Sequence, residues 1–284
     1  MFGSIQDTIT LNNGTKMPRL GLGCYKAKGT ESYNAVRWAL EAGYPMIDTA
    51  VRYENETEIG RAVRDSGKKR ADIFIVSKLW PTQFNNPERG IDYSLHKLNM
   101  DYMDLYLLHW PGTNETARLR AWEALLNAQE KKKIRAVGVS NFSIAQIQQL
   151  IEQFGIAPAV NQVELHPWYP QEEMRTFCAH HNIALEAWGP IFRGHIDEVP
   201  LMADLGKQHG KSPVQTTIRW HIQKGNIVIP KSVNQTRIQQ NCNIFDFALS
   251  PDDMQKINTL ACGRHFGIDA ETYSGDDFTV SYNN

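Results

Sequence analysis

Eight short apolar runs recur along this chain, at 20–23, 46–48, 73–76, 105–108, 137–139, 160–163, 184–188 and 227–229. Stretches of helical spacing separate them, such as Val36, Ala39, Leu40 and Gly43, then Trp122, Leu125 and Leu126, then Ile144, Ile147 and Ile151. Continuous apolar strands alternating with amphipathic helices require a parallel sheet covered on its outer face. Eight such units over about 250 residues fit a closed (β/α)8 barrel better than an open sheet. Length alone, 284 residues, would suggest about two domains. No linker or shift of composition divides the chain, so a single domain over 1–284 is expected. Ahead of the barrel, Thr8-Ile9-Thr10-Leu11 and Thr15-Lys16-Met17-Pro18 flank Asn12-Asn13-Gly14. An Asn-Gly between alternating runs predicts a β-hairpin over about 8–17. A tail over about 262–284 follows the last unit.

Charge narrows the function. Thirty basic residues against 31 acidic ones give a net charge of −1, which argues against nucleic acid or an anionic membrane as partner. No run approaches the roughly 18 apolar residues of a membrane helix, and the N-terminus has no basic start followed by an apolar stretch. Cys24, Cys178, Cys242 and Cys262 form no metal-ligand spacing and read as free thiols in a reducing cytosol. The Asn-x-Ser/Thr matches at Asn55, Asn114, Asn141 and Asn234 are then chance. A cytosolic monomer is expected.

Several strands end in residues that packing would not choose. Asp48, Lys78, His109 and Ser140 follow one another at 30 or 31 residues, one βα unit each. Later strands add Gln162, Trp188 and Lys231. Singly, each has a plain role: Asp48 as a helix cap, Lys78 as a solvated cation, His109 as a strand end. Together they set an acid, a base, an imidazole and a hydroxyl/amide pair on one rim, where barrels of this kind carry their active sites.

These residues stand within longer phrases: 43–60 with Asp48-Thr49-Ala50-Val51-Arg52-Tyr53-Glu54-Asn55-Glu56, Lys78-Leu79-Trp80, and 104–111 ending His109-Trp110-Pro111. Val139-Ser140-Asn141-Phe142 and Ile229-Pro230-Lys231-Ser232 through Arg237 to Asn241 follow. In that order and spacing the chain resembles the aldo-keto reductase family over about residues 10–266. It is most similar to the short microbial and protist members, such as 2,5-diketogluconate reductases and prostaglandin F synthases. The resemblance implies NADPH-dependent reduction of small carbonyl compounds by a tetrad of Asp48, Tyr53, Lys78 and His109. Physical chemistry supports the assignment. A free phenol, with a pKa near 10, is a weak acid at neutral pH; the Lys78 ammonium, held by Asp48, should lower it. His109 would donate a hydrogen bond to the developing alkoxide, and Tyr53 would be the general acid.

No complete glycine-rich dinucleotide loop occurs, since Gly21-Leu22-Gly23-Cys24 lacks the third glycine. The resemblance places NADPH across the barrel mouth instead. Cys24, Tyr25 and Asp48 would lie beside it. Ser140, Asn141 and Gln162 would bond the carboxamide, and Trp188 would stack on the ring. Gly189, Pro190 and Ile191 would follow the nucleotide. Lys231, Ser232, Val233 and Arg237 would hold the 2′-phosphate end, and Gln240 and Asn241 the adenine. The sequence departs from the family at Trp188 for a tyrosine, Gly189 for a serine, Gln240 for a glutamate and at Pro45-Met46. Tyr25, Arg52, Trp80, His109 and Trp110, with part of 265–278, would line the substrate pocket. Arg52 either meets an anionic group or faces solvent. Short loops after His109 and Trp188 predict an open mouth.

Other classes fare worse. Tyr93 and Lys97 match the YxxxK pair of short-chain dehydrogenases, but without the glycine loop they read as an i, i+4 helix pair. His180-His181 is not a metal-ligand arrangement. A cofactor-binding redox-sensing or regulatory subunit with little turnover is the alternative, against which the complete tetrad argues.

Overall fold

The computed structural model describes residues 3–282. The hairpin forms from β1 (Thr8–Thr10) and β2 (Lys16–Pro18), paired antiparallel with Ile9 opposite Met17. Eight parallel strands follow: β3 (Leu22–Gly23), β4 (Met46–Asp48), β5 (Phe74–Leu79), β6 (Met103–Leu108), β7 (Ile134–Ser140), β8 (Val160–Glu164), β9 (Ala184–Trp188) and β10 (Ile227–Val228). Each pairs with its sequence neighbours. Backbone bonds from Gly21 N to Val228 O at 3.0 Å and from Gly23 N to Pro230 O at 3.2 Å close the ring. A Cβ on Gly23 would stand 2.7 Å from the Ile229 carbonyl oxygen, so that seam needs a glycine. The expected eight strands and closed barrel are therefore present, with the hairpin outside the ring.

Helices α1 (Gly29–Glu41), α2 (Glu56–Asp65), α3 (Pro87–Leu98), α4 (Glu115–Glu130), α5 (Ile144–Phe154) and α6 (Glu172–His180) each link consecutive strands. Both α7 (Pro200–Gln208) and α8 (Pro213–Gln223) lie between β9 and β10, and α9 (Gln235–Cys242) and α10 (Pro251–Asn258) follow. Their apolar stripes are the sequence's own: α1 buries Ala35, Val36, Ala39 and Leu40, and Gly43 falls just past its end. Lys97 Nζ lies 5.3 Å from the Tyr93 ring centroid on α3, an i, i+4 pair.

The two-residue period of the strands decides where polar groups go. Ile75 and Leu79 face the helices, whereas Phe74 and Val76 join Met46, Leu105, Leu107, Ala136, Val160 and Ile227 inside the barrel. Leu11 and Met17 of the hairpin region belong to that same inner cluster. The hairpin thus contributes apolar cover to the barrel floor. One pleat further up, the same parity turns Asp48, Lys78, His109, Ser140, Gln162 and Glu186 inward. No helix among the described residues is long and apolar enough to cross a membrane.

Candidate active site

Lys78 lies next to the end of β5 with its side chain wholly buried. Its Nζ donates to Asp48 Oδ1 at 2.7 Å, Asp48 Oδ2 at 2.8 Å and the Thr49 carbonyl at 2.7 Å. Three acceptors for three N–H groups identify an ammonium. Its fourth neighbour is the Tyr53 hydroxyl at 3.5 Å. Burial pushes Asp48 above the usual carboxylate range, against the pull of Lys78 and of the Gln162 amide.

Tyr53 closes a 3-10 turn, Val51–Tyr53, after which Glu54 adopts a left-handed φ of 55°. Asn55 holds that turn in place. Its Oδ1 accepts from Thr49 Oγ1 at 2.5 Å, and its Nδ2 donates to the carbonyls of Cys24 (3.0 Å) and Ala27 (2.8 Å). Read from sequence as a chance glycosylation match, Asn55 is a buried brace for the tyrosine. The Tyr53 ring lies 5.1 Å from Tyr25 and 5.5 Å from His109. The expected lowering of the Tyr53 pKa is not found. Burial pushes the phenol well above its ordinary value, and the charge of Asp48 adds to this. The ammonium gives its short bonds to Asp48 and Thr49, so at neutral pH Tyr53 is a phenol, the form that gives up a proton.

His109 is buried and pushed well below its ordinary range by burial, Lys78 and Arg52, so the ring is neutral. Nδ1 is buried with no partner. An orphaned lone pair costs less than an orphaned N–H, so the single proton belongs on Nε2. Trp80 packs edge-on against this ring at 5.0 Å.

A chain of bonds runs round the rim from here. Asn141, at φ 62°, donates through Nδ2 to the His109 carbonyl at 2.9 Å and to Ser140 Oγ at 3.0 Å. Ser140 Oγ donates to the Gln162 carbonyl at 2.9 Å, and Trp188 Nε1 to Asn141 Oδ1 at 2.8 Å. Gln162 Nε2 spends its hydrogens on Asp48 Oδ2 and Glu186 Oε2, both at 2.8 Å, which leaves the amide oxygen to accept from a carboxamide. Cys24 is buried beside this group, its N–H donating to the Asp48 carbonyl at 3.0 Å.

Gly189 sits at φ +60°, and a Cβ there would come within 3.1 Å of Arg193 Cγ. The glycine that replaces the family's serine therefore seats Arg193, whose guanidinium lies 5.7 Å from the Trp188 ring. Pro190 is buried and Ile191 half-buried beyond it. Past β10, Ser232 Oγ accepts from Asn234 N at 3.2 Å, and Asn234 caps α9. Lys231 and Arg237 are exposed next to that helix start and form no ion pair among the described residues. Two free cations at a helix N-terminus fit a phosphate monoester. Val233 is half-buried, Gln240 exposed and Asn241 buried on the same segment.

The tail is where the geometry departs most from the expected open mouth. Glu164 accepts from Phe266 N at 2.8 Å and Gly267 N at 2.6 Å, fixing one end. Trp80 Nε1 donates to the Gly275 carbonyl at 2.6 Å, and Thr82 to that of Phe278 at 2.9 Å, fixing the other. Tyr273 packs on Trp110 at 5.0 Å. Arg52 pairs with Asp277 at 3.4 Å and lies 4.6 Å from the Phe278 ring, so the tail takes the arginine. Tyr25 stays exposed. The tail thus lines the mouth, as the sequence led one to expect of 265–278, but it covers more of it than short loops after His109 and Trp188 predicted.

Sequence reasoning missed Glu164, Glu186 and the role of Asn55. The two glutamates had a signal: each is an acid on the inward pleat of an apolar strand, at the parity of Gln162 and Trp188.

A neutral imidazole and a buried phenol lie beside an ammonium, and two exposed cations that suit a phosphate stand at the start of α9. That is the arrangement of a nicotinamide-dependent oxidoreductase on a barrel scaffold. Comparison with known proteins agrees, for the model of the Aldo/keto reductase family matches residues 19–261. An aldo-keto reductase of Mycolicibacterium smegmatis is 46% identical, over 94% of this chain and 98% of its own length. Methylglyoxal reductase DkgA of Yersinia pestis is 42% identical over 96% and 99%. A solved Gox0644 mutant in complex with NADPH superposes with a TM-score of 0.90 at 34% identity, covering 94% of this chain and 98% of that one. The chain belongs to the aldo/keto reductase family. It is an NADPH-dependent oxidoreductase that acts on carbonyl groups.

Proposed function

We propose that this enzyme reduces small aldehydes and ketones to alcohols, with Tyr53 as general acid and His109 Nε2–H orienting the carbonyl oxygen. The observation that carries this is the placement of the Tyr53 hydroxyl, 3.5 Å from a buried ammonium and on a ring packed against a neutral imidazole. When bound, NADPH supplies a hydride to the carbonyl carbon. The chain's own residues do the rest. Tyr53 Oη gives its proton to the oxygen as negative charge develops there. His109 Nε2 donates a hydrogen bond to the same oxygen without carrying charge itself. Lys78, charged and held by Asp48, favours the phenolate that Tyr53 becomes.

Single-domain, monomeric organisation over the whole chain belongs to the same reading. So does a substrate of modest size, since Trp80, Trp110 and the tail wall one side of the mouth. The name of the Yersinia relative points to methylglyoxal, a small dicarbonyl, as one member of the class. NADPH consumption across a panel of aldehydes, ketones and dicarbonyls tests the proposal. Turnover with none of them would favour the regulatory-subunit alternative.

Cofactor choice gives a separate test. Arg237→Ala should raise the dissociation constant for NADPH about tenfold, the worth of one charge-assisted contact. NADH, which lacks the 2′-phosphate, should bind almost as before. Fluorescence titration with both nucleotides reads the difference, and equal losses would remove Arg237 from the phosphate site.

A further inference from the structure

Glu186 has no task in the chemistry above, yet it touches the site. It lies in the middle of β9, fully buried, on the inward pleat with Ala184 and Trp188. One amide joins it to the tetrad: Gln162 Nε2 donates at 2.8 Å to Glu186 Oε2 and at 2.8 Å to Asp48 Oδ2. Its second oxygen, Oε1, is buried with no partner. The charged groups facing it are Asp48 of β4 and Lys78 of β5, with Gln162 from β8. Tyr53 also lies within reach of its charge. Beside it β10 offers only Ile227 and Val228. Behind the wall, α8 carries His221, neutral at physiological pH because burial pushes it down to about 3.

Two carboxyls and one ammonium share this buried volume. With both carboxyls ionised, one negative charge would be left uncompensated in the barrel, at a large cost. Asp48 takes two bonds from Lys78, whereas Glu186 takes none. A neutral carboxyl also tolerates an unpartnered oxygen far better than a carboxylate does.

We propose that Glu186 is a positioning residue that stores a proton beside Asp48, and that its ionisation sets the alkaline limit of turnover by changing the acidity of Tyr53. Burial and the charge of Asp48 push Glu186 up to about 8. Below that midpoint Lys78 has one carboxylate to satisfy. Above it a second negative charge enters, raises the Tyr53 pKa further and opposes the developing alkoxide. Reduction should therefore decline as Glu186 loses its proton.

The inference rests on Tyr53 being the acid, so Tyr53→Phe is measured alongside. Glu186→Gln keeps the shape of the neutral acid and cannot ionise. Reduction of a simple aldehyde is followed from about pH 6 to about pH 10, each enzyme normalised to its own rate near pH 6.5. Infrared spectra of the resting enzyme follow the carboxylic-acid C=O stretch over the same range. Wild type should lose rate as a buried acid band disappears. In Glu186→Gln the part of that band due to Glu186 should be absent throughout, while the part due to Glu56, which burial pushes up to about 7, stays. The normalised rate at about pH 9 should exceed wild type about three- to tenfold, as expected when a coupled ionisation is removed. Gln162→Leu, which cuts the bridge, should shift the midpoint of the acid band. Superimposable normalised profiles, or no acid band that Glu186→Gln removes, would overturn the inference. Near-normal turnover in Tyr53→Phe would instead remove the acid assignment, while the infrared titration of Glu186 still stands as its own result.

Discussion

Replacing Tyr53 by phenylalanine is expected to lower aldehyde turnover by about 10²–10⁴, the usual contribution of a general acid. At roughly 1.4 kcal/mol per decade, that is about 3–5.5 kcal/mol of barrier. Stability and NADPH affinity should hardly change, because the ring contacts are all kept. The ring centroid lies 5.1 Å from that of Tyr25, 5.5 Å from that of His109 and 5.0 Å from Lys78 Nζ, and none of these needs the hydroxyl. The lost bond is the long one, 3.5 Å to Lys78, from an ammonium whose shorter bonds go elsewhere. Single-turnover rates with NADPH at saturation separate the chemical step from binding. Turnover within a few-fold of wild type would refute the mechanism at its centre.

Lys78→Met should also lower catalysis severely, with a different signature. The variant keeps a long apolar stem and deletes the charge, leaving Asp48 buried and unpaired. Removing one partner of a buried ion pair costs about 3–5 kcal/mol when the other must stay charged. Asp48 has an escape, since burial already raises its pKa and, without Lys78, it takes up a proton. A carboxyl whose folded pKa lies above its unfolded value favours folding at low pH and loses that contribution as pH rises. The deficit in unfolding free energy relative to wild type should therefore shrink between about pH 7 and about pH 4.5. The two reaction directions should also separate. Without the ammonium the Tyr53 pKa climbs further, so the phenolate needed for alcohol oxidation becomes scarcer while the phenol needed for reduction remains. Oxidation near neutral pH should fall more than reduction. Equal losses in both directions with unchanged pH profiles would make Lys78 a structural ion-pair partner only.

Much of this site is legible without coordinates. Apolar runs alternating with helical stretches call for a parallel sheet, because a parallel strand buried on both faces cannot form without its crossover, and eight of them fit a closed barrel. The 30- and 31-residue spacing of Asp48, Lys78, His109 and Ser140 follows, since equal βα units bring equal strand ends to one rim. Three-dimensional packing decided the rest. The acidity of Tyr53 depends on how many acceptors Lys78 already serves, and Thr49 O is one that no motif announces. Arg52 meets Asp277 only because the tail returns across 225 residues of sequence to the mouth. Gln162 joins Asp48 to Glu186 across the barrel interior, over separations of 114 and 24 residues. The sequence by itself determined which residues reach the rim, because the period of a strand is local. Which of them share a proton, an amide or a counter-ion was decided by the closing of the barrel, which sets distances between strands that the chain keeps far apart.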